Sequence, residues 1–122
     1  MSRFKLIERN QAPRKNRALY SADVVRFQAS EKYVSAYSLD GEILLRDSLN
    51  NLEAEFPGRF FRAHPAHLVD VQRITRIDVQ RTQVDGKKRQ RLHVELREVP
   101  GLVPLGRRQL RKLLERRPDL AS

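Results

Sequence analysis

Short apolar runs at period two, cut off by turn signals, constrain this chain most. Tyr33, Ser35, Tyr37 and Leu39 fall on one face of an extended segment, Asp40-Gly41 follows, and Ile43-Leu44-Leu45 returns. Alternation every second residue is the signature of a strand, and an Asp-Gly pair supplies the two positive-φ positions of a tight type I′ turn. Residues 33–45 are therefore expected to form a β-hairpin. Val24-Val25-Arg26-Phe27 precedes it as a further strand. Leu68 to Val71 and Ile74 to Val79 read as strands too. A second Asp-Gly pair, Asp85-Gly86, leads into Leu92-His93-Val94-Glu95-Leu96, with Leu92, Val94 and Leu96 on one face. The middle of the chain is mostly β.

Two short helices interrupt this pattern. Ser48 is an N-cap for a segment in which Leu49, Leu52 and Phe56 share a face, and Pro57-Gly58 stops it. Its polar side holds Asn50, Asn51, Glu53 and Glu55; being net acidic, that side is expected to face away from any polyanion. The last element, from about Gly106 to Arg117, has Leu110, Leu113 and Leu114 as an apolar stripe and is closed by Pro118. It is a basic amphipathic helix.

At 122 residues the chain is expected to hold one domain. Its 25 Lys and Arg against 15 Asp and Glu give a net charge of +10 and a pI near 10.8. Such a surplus suits an anionic partner, nucleic acid foremost, although a merely solvated basic surface has the same composition. The absence of cysteine excludes a disulfide framework, a thiolate zinc site and a cysteine nucleophile. No apolar run approaches the roughly 20 residues that span a bilayer. The opening Met1-Ser2-Arg3-Phe4-Lys5-Leu6-Ile7-Glu8 lacks the apolar core of a signal peptide. A cytoplasmic location without membrane insertion is expected. Residues 1–21, rich in Arg and Lys and interrupted by Pro13, read as a basic arm or linker, residues 22–117 as the domain and residues 118–122 as a tail.

Three segments carry candidate binding chemistry. Arg107 and Arg108 open the last helix, where the partial positive charge of the helix N-terminus makes a cation mildly unfavourable. An anion there would meet backbone N–H groups and both guanidinium forks, and Arg can bond bidentately to guanine O6 and N7. Alternatively, these long side chains simply extend into water. The segment Arg62-Ala63-His64-Pro65-Ala66-His67 reads as a loop. His64 and His67 lack the further ligands a metal site needs, so the choice lies between structural histidines and a phosphate or base contact. Near the first hairpin, Lys32 can reach a phosphate and Tyr33 can offer a hydroxyl or a flat face, although a tyrosine there is also ordinary packing.

A family resemblance runs through these same segments. It is carried by Phe27-Gln28-Ala29-Ser30-Glu31-Lys32-Tyr33-Val34, Asp40-Gly41, Ser48-Leu49 with Leu52-Glu53, Arg59-Phe60-Phe61-Arg62-Ala63-His64 with Leu68-Val69, Ile74 and Ile77, and Val103-Pro104-Leu105-Gly106-Arg107-Arg108-Gln109-Leu110. In this order, over about residues 22 to 116, they resemble the LytTR DNA-binding domain of LytR/AlgR response regulators. The resemblance implies a mostly β fold of about ten short strands in packed antiparallel sheets, with a short internal helix and a short C-terminal helix. Loops of that fold enter successive major grooves of duplex DNA.

The DNA-contacting positions it implies are Lys32 and Tyr33, the loop of Arg62, His64 and Pro65, and Arg107 and Arg108 with Arg111 on the same helix. The family usually has a polar or basic residue where this chain has Pro65, so the loop is expected to hold phosphate through Arg62 or His64. It often has Ser where this chain has Gly106, so a capping hydroxyl is missing. Further implied partners are a receiver domain, a kinase or a membrane regulator, and repeated DNA sites bound as a dimer or tandem pair. No cofactor or metal is implied.

The expected function is thus a sequence-specific double-stranded DNA-binding transcriptional regulator, not an enzyme. An RNA-binding or ribosome-associated basic β domain has the same charge. Yet the three Tyr and five Phe include Phe56, Phe60 and Phe61 at core positions, leaving no single-strand stacking platform. A nuclease ranks third, since Asp40 and Asp85 belong to turns and Asp70 and Asp78 alternate with apolar strand residues.

Overall fold

A computed structural model describes residues 24–39 and 41–121. The arm expected over residues 1–21, Asp40 of the first turn and Ser122 lie outside the described residues. The described strands are β1 Val24–Ala29, β2 Val34–Ser38, β3 Glu42–Leu45, β4 Phe60–His64, β5 His67–Asp70, β6 Ile74–Val84, β7 Lys87–Leu96 and β8 Val99–Leu105. The helices are α1 Leu49–Glu55 and α2 Arg107–Arg116. A five-stranded antiparallel sheet has the order β3-β2-β1-β5-β4, and a three-stranded one the order β6-β7-β8. The mostly β class with two short helices is as expected, with eight described strands where about ten were anticipated.

The larger sheet is the middle layer. Because successive strand residues point to opposite faces, Phe60 of β4 and Leu68 of β5 enter one core with Phe27, Val34, Ile43, Leu49 and Leu52. Their neighbours Phe61, Ala63 and Val69 enter a second core with Ile74, Val94, Leu96, Val103, Leu105 and Leu113. Helix α1 covers the first face, and the small sheet with α2 covers the second. Phe60 anchors the first core, its ring meeting those of Phe27 and Phe56 edge-on at 5.0 and 6.0 Å.

This double burial explains one departure from expectation. Strand β4, Phe60–His64, is absent from the strands expected above, because a strand buried on both faces shows consecutive apolar residues and not alternation. The supposed loop over residues 62–67 is correspondingly the end of a β4–β5 hairpin in which His64 faces His67 across a turn at Pro65-Ala66.

The first hairpin forms, but one residue earlier than expected. Tyr37 pairs with Glu42, and the Ser38 N–H donates to the Gly41 carbonyl at 2.8 Å, so Gly41 stands opposite Ser38 rather than at the centre of the turn. At the second hairpin Asp85 (φ 51°) and Gly86 (φ 75°) take the two left-handed positions as expected. Ser48 caps α1, its Oγ accepting from the Asn51 N–H at 3.1 Å. Strand β8, with Pro100 and Gly101 inside it, carried no strand signal in the sequence.

Candidate nucleic-acid interface

Two backbone hydrogen bonds bring the three candidate segments together. The Ala29 N–H, at the end of β1, donates to the Ala66 carbonyl in the β4–β5 turn at 2.9 Å. On the other side, the Gly106 N–H donates to the Ala63 carbonyl of β4 at 2.7 Å, which docks the start of α2 on the edge of the large sheet. The β4–β5 turn is therefore flanked by the β1–β2 connection and by α2.

The β1–β2 connection is tight, with the Ser30 N–H and hydroxyl both donating to the Tyr33 carbonyl at 2.9 and 3.1 Å. It leaves Lys32 exposed and Tyr33 half-buried, with the Arg46 guanidinium 6.0 Å from the Tyr33 ring. Lys32 and Tyr33 border a shallow depression of about 280 Å³ whose other walls include Asn50, Arg62 and Pro65.

Arg62 is held internally. Its Nη1 donates to Asn50 Oδ1 at 3.0 Å and to Glu53 Oε1 at 3.1 Å, and its Nε and Nη2 donate to the Pro65 carbonyl at 3.2 and 3.1 Å. The acidic side of α1 thus has a partner: it clamps the arginine that spans the turn. His64 is fixed by its Nδ1, which accepts the Ala66 N–H at 3.1 Å; the proton of the neutral ring then sits on Nε2, leaving a donor. His67 is the inner member of the pair, 5.4 Å away edge-on. Burial of its ring, with His64 and the Arg26 cation adding, pushes its pKa from 6.5 down to about 4, and its buried Nδ1 has no hydrogen-bond partner among the described residues.

On α2, Arg107, Arg108 and Arg111 are exposed. Gly106 is the N-cap, with φ −69° and ψ 146°, and supplies no side-chain cap. Arg107 Nη2 donates to the Gln90 carbonyl at 3.3 Å. That contact reveals cations the sequence reading passed over: the β6–β7 hairpin, read only as a turn, brings Arg81, Lys88 and Arg89 beside Arg107. The run Lys87-Lys88-Arg89 was its available signal.

The charges are sorted. Arg59, Arg62, Arg73, Arg76 and Arg117 are each within 3.5 Å of a carboxylate, whereas Lys32, Arg107, Arg108 and Arg111 form no ion pair with another described residue. Among the described residues, no group of three or more His, Cys, Asp or Glu could hold a metal ion. No helix among them is long and apolar enough to cross a membrane.

Comparison with known proteins matches this arrangement to a family. Residues 15–117 match the LytTr DNA-binding domain. A relative from Pseudomonas aeruginosa, the positive alginate biosynthesis regulatory protein, is 45% identical over 60 residues; the match covers 49% of this chain and 23% of that protein. The chain thus spans about a quarter of this relative's length. Among solved structures, the LytTr DNA-binding domain of a Bacillus cereus protein described as a methyl-accepting/DNA response regulator superposes with a TM-score of 0.60 at 16% identity, covering 78% of this chain and 81% of that one. The likeness in fold agrees with the family match over most of the sequence, and the chain belongs to the LytTR family of DNA-binding domains.

Proposed function

We propose that this domain recognises double-stranded DNA in a sequence-dependent way and thereby regulates transcription, acting by binding and not by catalysis. The observation that carries this reading is the pair of bonds from Ala29 to Ala66 and from Gly106 to Ala63, which makes three separate segments one surface. Lys32 and Tyr33 contact one part of the duplex, His64 beside Pro65 contacts the next, and Arg107, Arg108 and Arg111 enter a major groove. His64 offers its Nε2–H to a phosphate oxygen, and Arg108 is the base reader, its exposed fork suited to guanine O6 and N7. Arg62 orients the turn, because its guanidinium is already engaged by Asn50, Glu53 and Pro65.

The relative that this chain matches is a regulatory protein by name, and this domain in turn acts as the effector part of a response regulator in the cytoplasm. In that setting residues 1–21 form the linker arm, 22–117 the binding domain and 118–122 a tail. Signals arrive through a receiver domain, a kinase or a membrane regulator. Repeated sites are occupied by a dimer or a tandem pair.

Competition tests the reading against RNA binding. A labelled duplex selected by the protein from a random pool is challenged with unlabelled duplex DNA or with RNA of matched sequence. The duplex DNA displaces it and the RNA does not; equal or better displacement by RNA would replace this reading with an RNA-binding one.

A further inference from the structure

The β6–β7 hairpin is longer than its sheet. Strand β8 ends at Leu105, which pairs with Leu92, so residues 80–84 and 87–91 have no third strand beside them. They form a two-stranded arm, exposed along its length, that projects past the point where α2 begins. At roughly 3.3 Å per residue the arm is about 16 Å long, or about five base pairs of duplex.

Its composition is one-sided. Arg81, Lys87, Lys88, Arg89 and Arg91 lie on the arm, the acid Asp85 sits in the turn, and none of the five cations forms an ion pair with another described residue. Elsewhere the same sheet does pair its charges, Arg76 with Asp78 and Glu95. Between the arm and the start of α2 lies an open groove of about 490 Å³, lined by Arg81, Lys88, Arg89 and Arg107 together with Thr82, Gln83 and Gln90, and, among the described residues, by no acid. Arg107 closes it through its bond to the Gln90 carbonyl.

From this geometry we infer that the groove receives the phosphate backbone of the duplex whose bases α2 reads, so that the arm is a sequence-independent clamp. The inference rests on the DNA reading above and extends it to residues outside the three segments. Four cations with neutral amide and hydroxyl neighbours suit phosphate oxygens. Arg81, Lys88 and Arg89 form no ion pair with another described residue, so their charge remains to neutralise phosphate.

The test compares the wild-type domain with the R81Q/K88Q/R89Q variant on two duplexes, one selected by the wild type from a random pool and one of scrambled sequence. The variant loses affinity by the same factor on both, keeps the wild-type ratio between them, and its log K against log salt slope falls by roughly 2 to 3, about 0.9 for each lost phosphate contact. All three side chains are exposed, so the melting temperature holds. Unchanged affinity and slope, or a changed ratio between the duplexes at unchanged slope, would overturn the clamp. A lowered melting temperature with an unchanged slope would do the same, since the arm would then act through the fold. Failure of the wild type to bind either duplex would instead remove the DNA reading, and the clamp with it.

Discussion

The Gly106 N–H donates to the Ala63 carbonyl at 2.7 Å, and this bond fixes where α2 begins relative to the His64 turn. Two substitutions separate its donor from the rest of the position. Gly106 has φ −69°, which proline adopts, so Gly106→Pro removes the N–H and leaves the fully buried Ala63 without its partner. A loss of roughly 1 to 3 kcal/mol in urea unfolding is expected. Gly106→Ser keeps the N–H, adds a capping hydroxyl and restricts the unfolded chain; a Cβ there meets its nearest atoms at an ordinary 3.6 and 3.7 Å. It should stabilise by roughly 0.5 kcal/mol.

Arg62 is predicted to be a positioning residue. Its bonds to Glu53, Asn50 and the Pro65 carbonyl hold the turn against α1. Arg62→Ala should cost roughly 1 to 2 kcal/mol of stability and weaken DNA binding while leaving the salt slope unchanged. Arg62→Lys, which lacks the planar fork, should restore little of the stability. A slope reduced by about 0.9 in the alanine variant would make Arg62 a phosphate ligand instead.

Arg108→Ala should cost about 1 to 3 kcal/mol on the selected duplex and relax preference at one base pair, a guanine. Thermal stability should hold or rise slightly, because a cation leaves the positive end of a helix dipole. Affinities for selected and scrambled duplexes, measured with the melting temperature, check it: unchanged discrimination makes Arg108 a surface residue.

His67 gives stability a defined pH dependence. Burial lowers its folded pKa to about 4 while the unfolded value stays near 6.5. As pH falls through that window the unfolded chain takes up the proton first, so this contribution is present above about 6.5 and is lost progressively toward 4. Urea unfolding of the wild type and of His67→Gln from pH 7 to pH 4 should show the difference between them shrinking or reversing in that direction. Parallel curves would assign the acid sensitivity elsewhere.

The hairpins were legible in the sequence because their residues answer to local chemistry. Asp85-Gly86 and Ser48 act on their immediate neighbours, and Leu92, Val94 and Leu96 alternate because one face of β7 is buried. Strand β4 was not legible: Phe60 and Phe61 serve two different cores, which erases the period of two. Nor was the fate of Arg62, since its partners Asn50 and Glu53 come from a helix that precedes it and meets it only in the fold. The basic arm shows the same limit. Lys87, Lys88 and Arg89 are visible as a charge run, but their position beside Arg107 depends on how far β6 and β7 overrun β8.

The central claim is that the three segments joined by Ala29, Ala63, Ala66 and Gly106 are one DNA-binding surface. The most direct measurement is a titration of the isotope-labelled domain with its selected duplex, followed by amide chemical shifts. The largest changes are predicted at residues 30–33, 64–66 and 106–111, extending into the arm beside Arg107, with Arg73 and Glu98 at the opposite end of the small sheet unmoved. Changes centred on Arg73 and Glu98, with the three segments undisturbed, would contradict it.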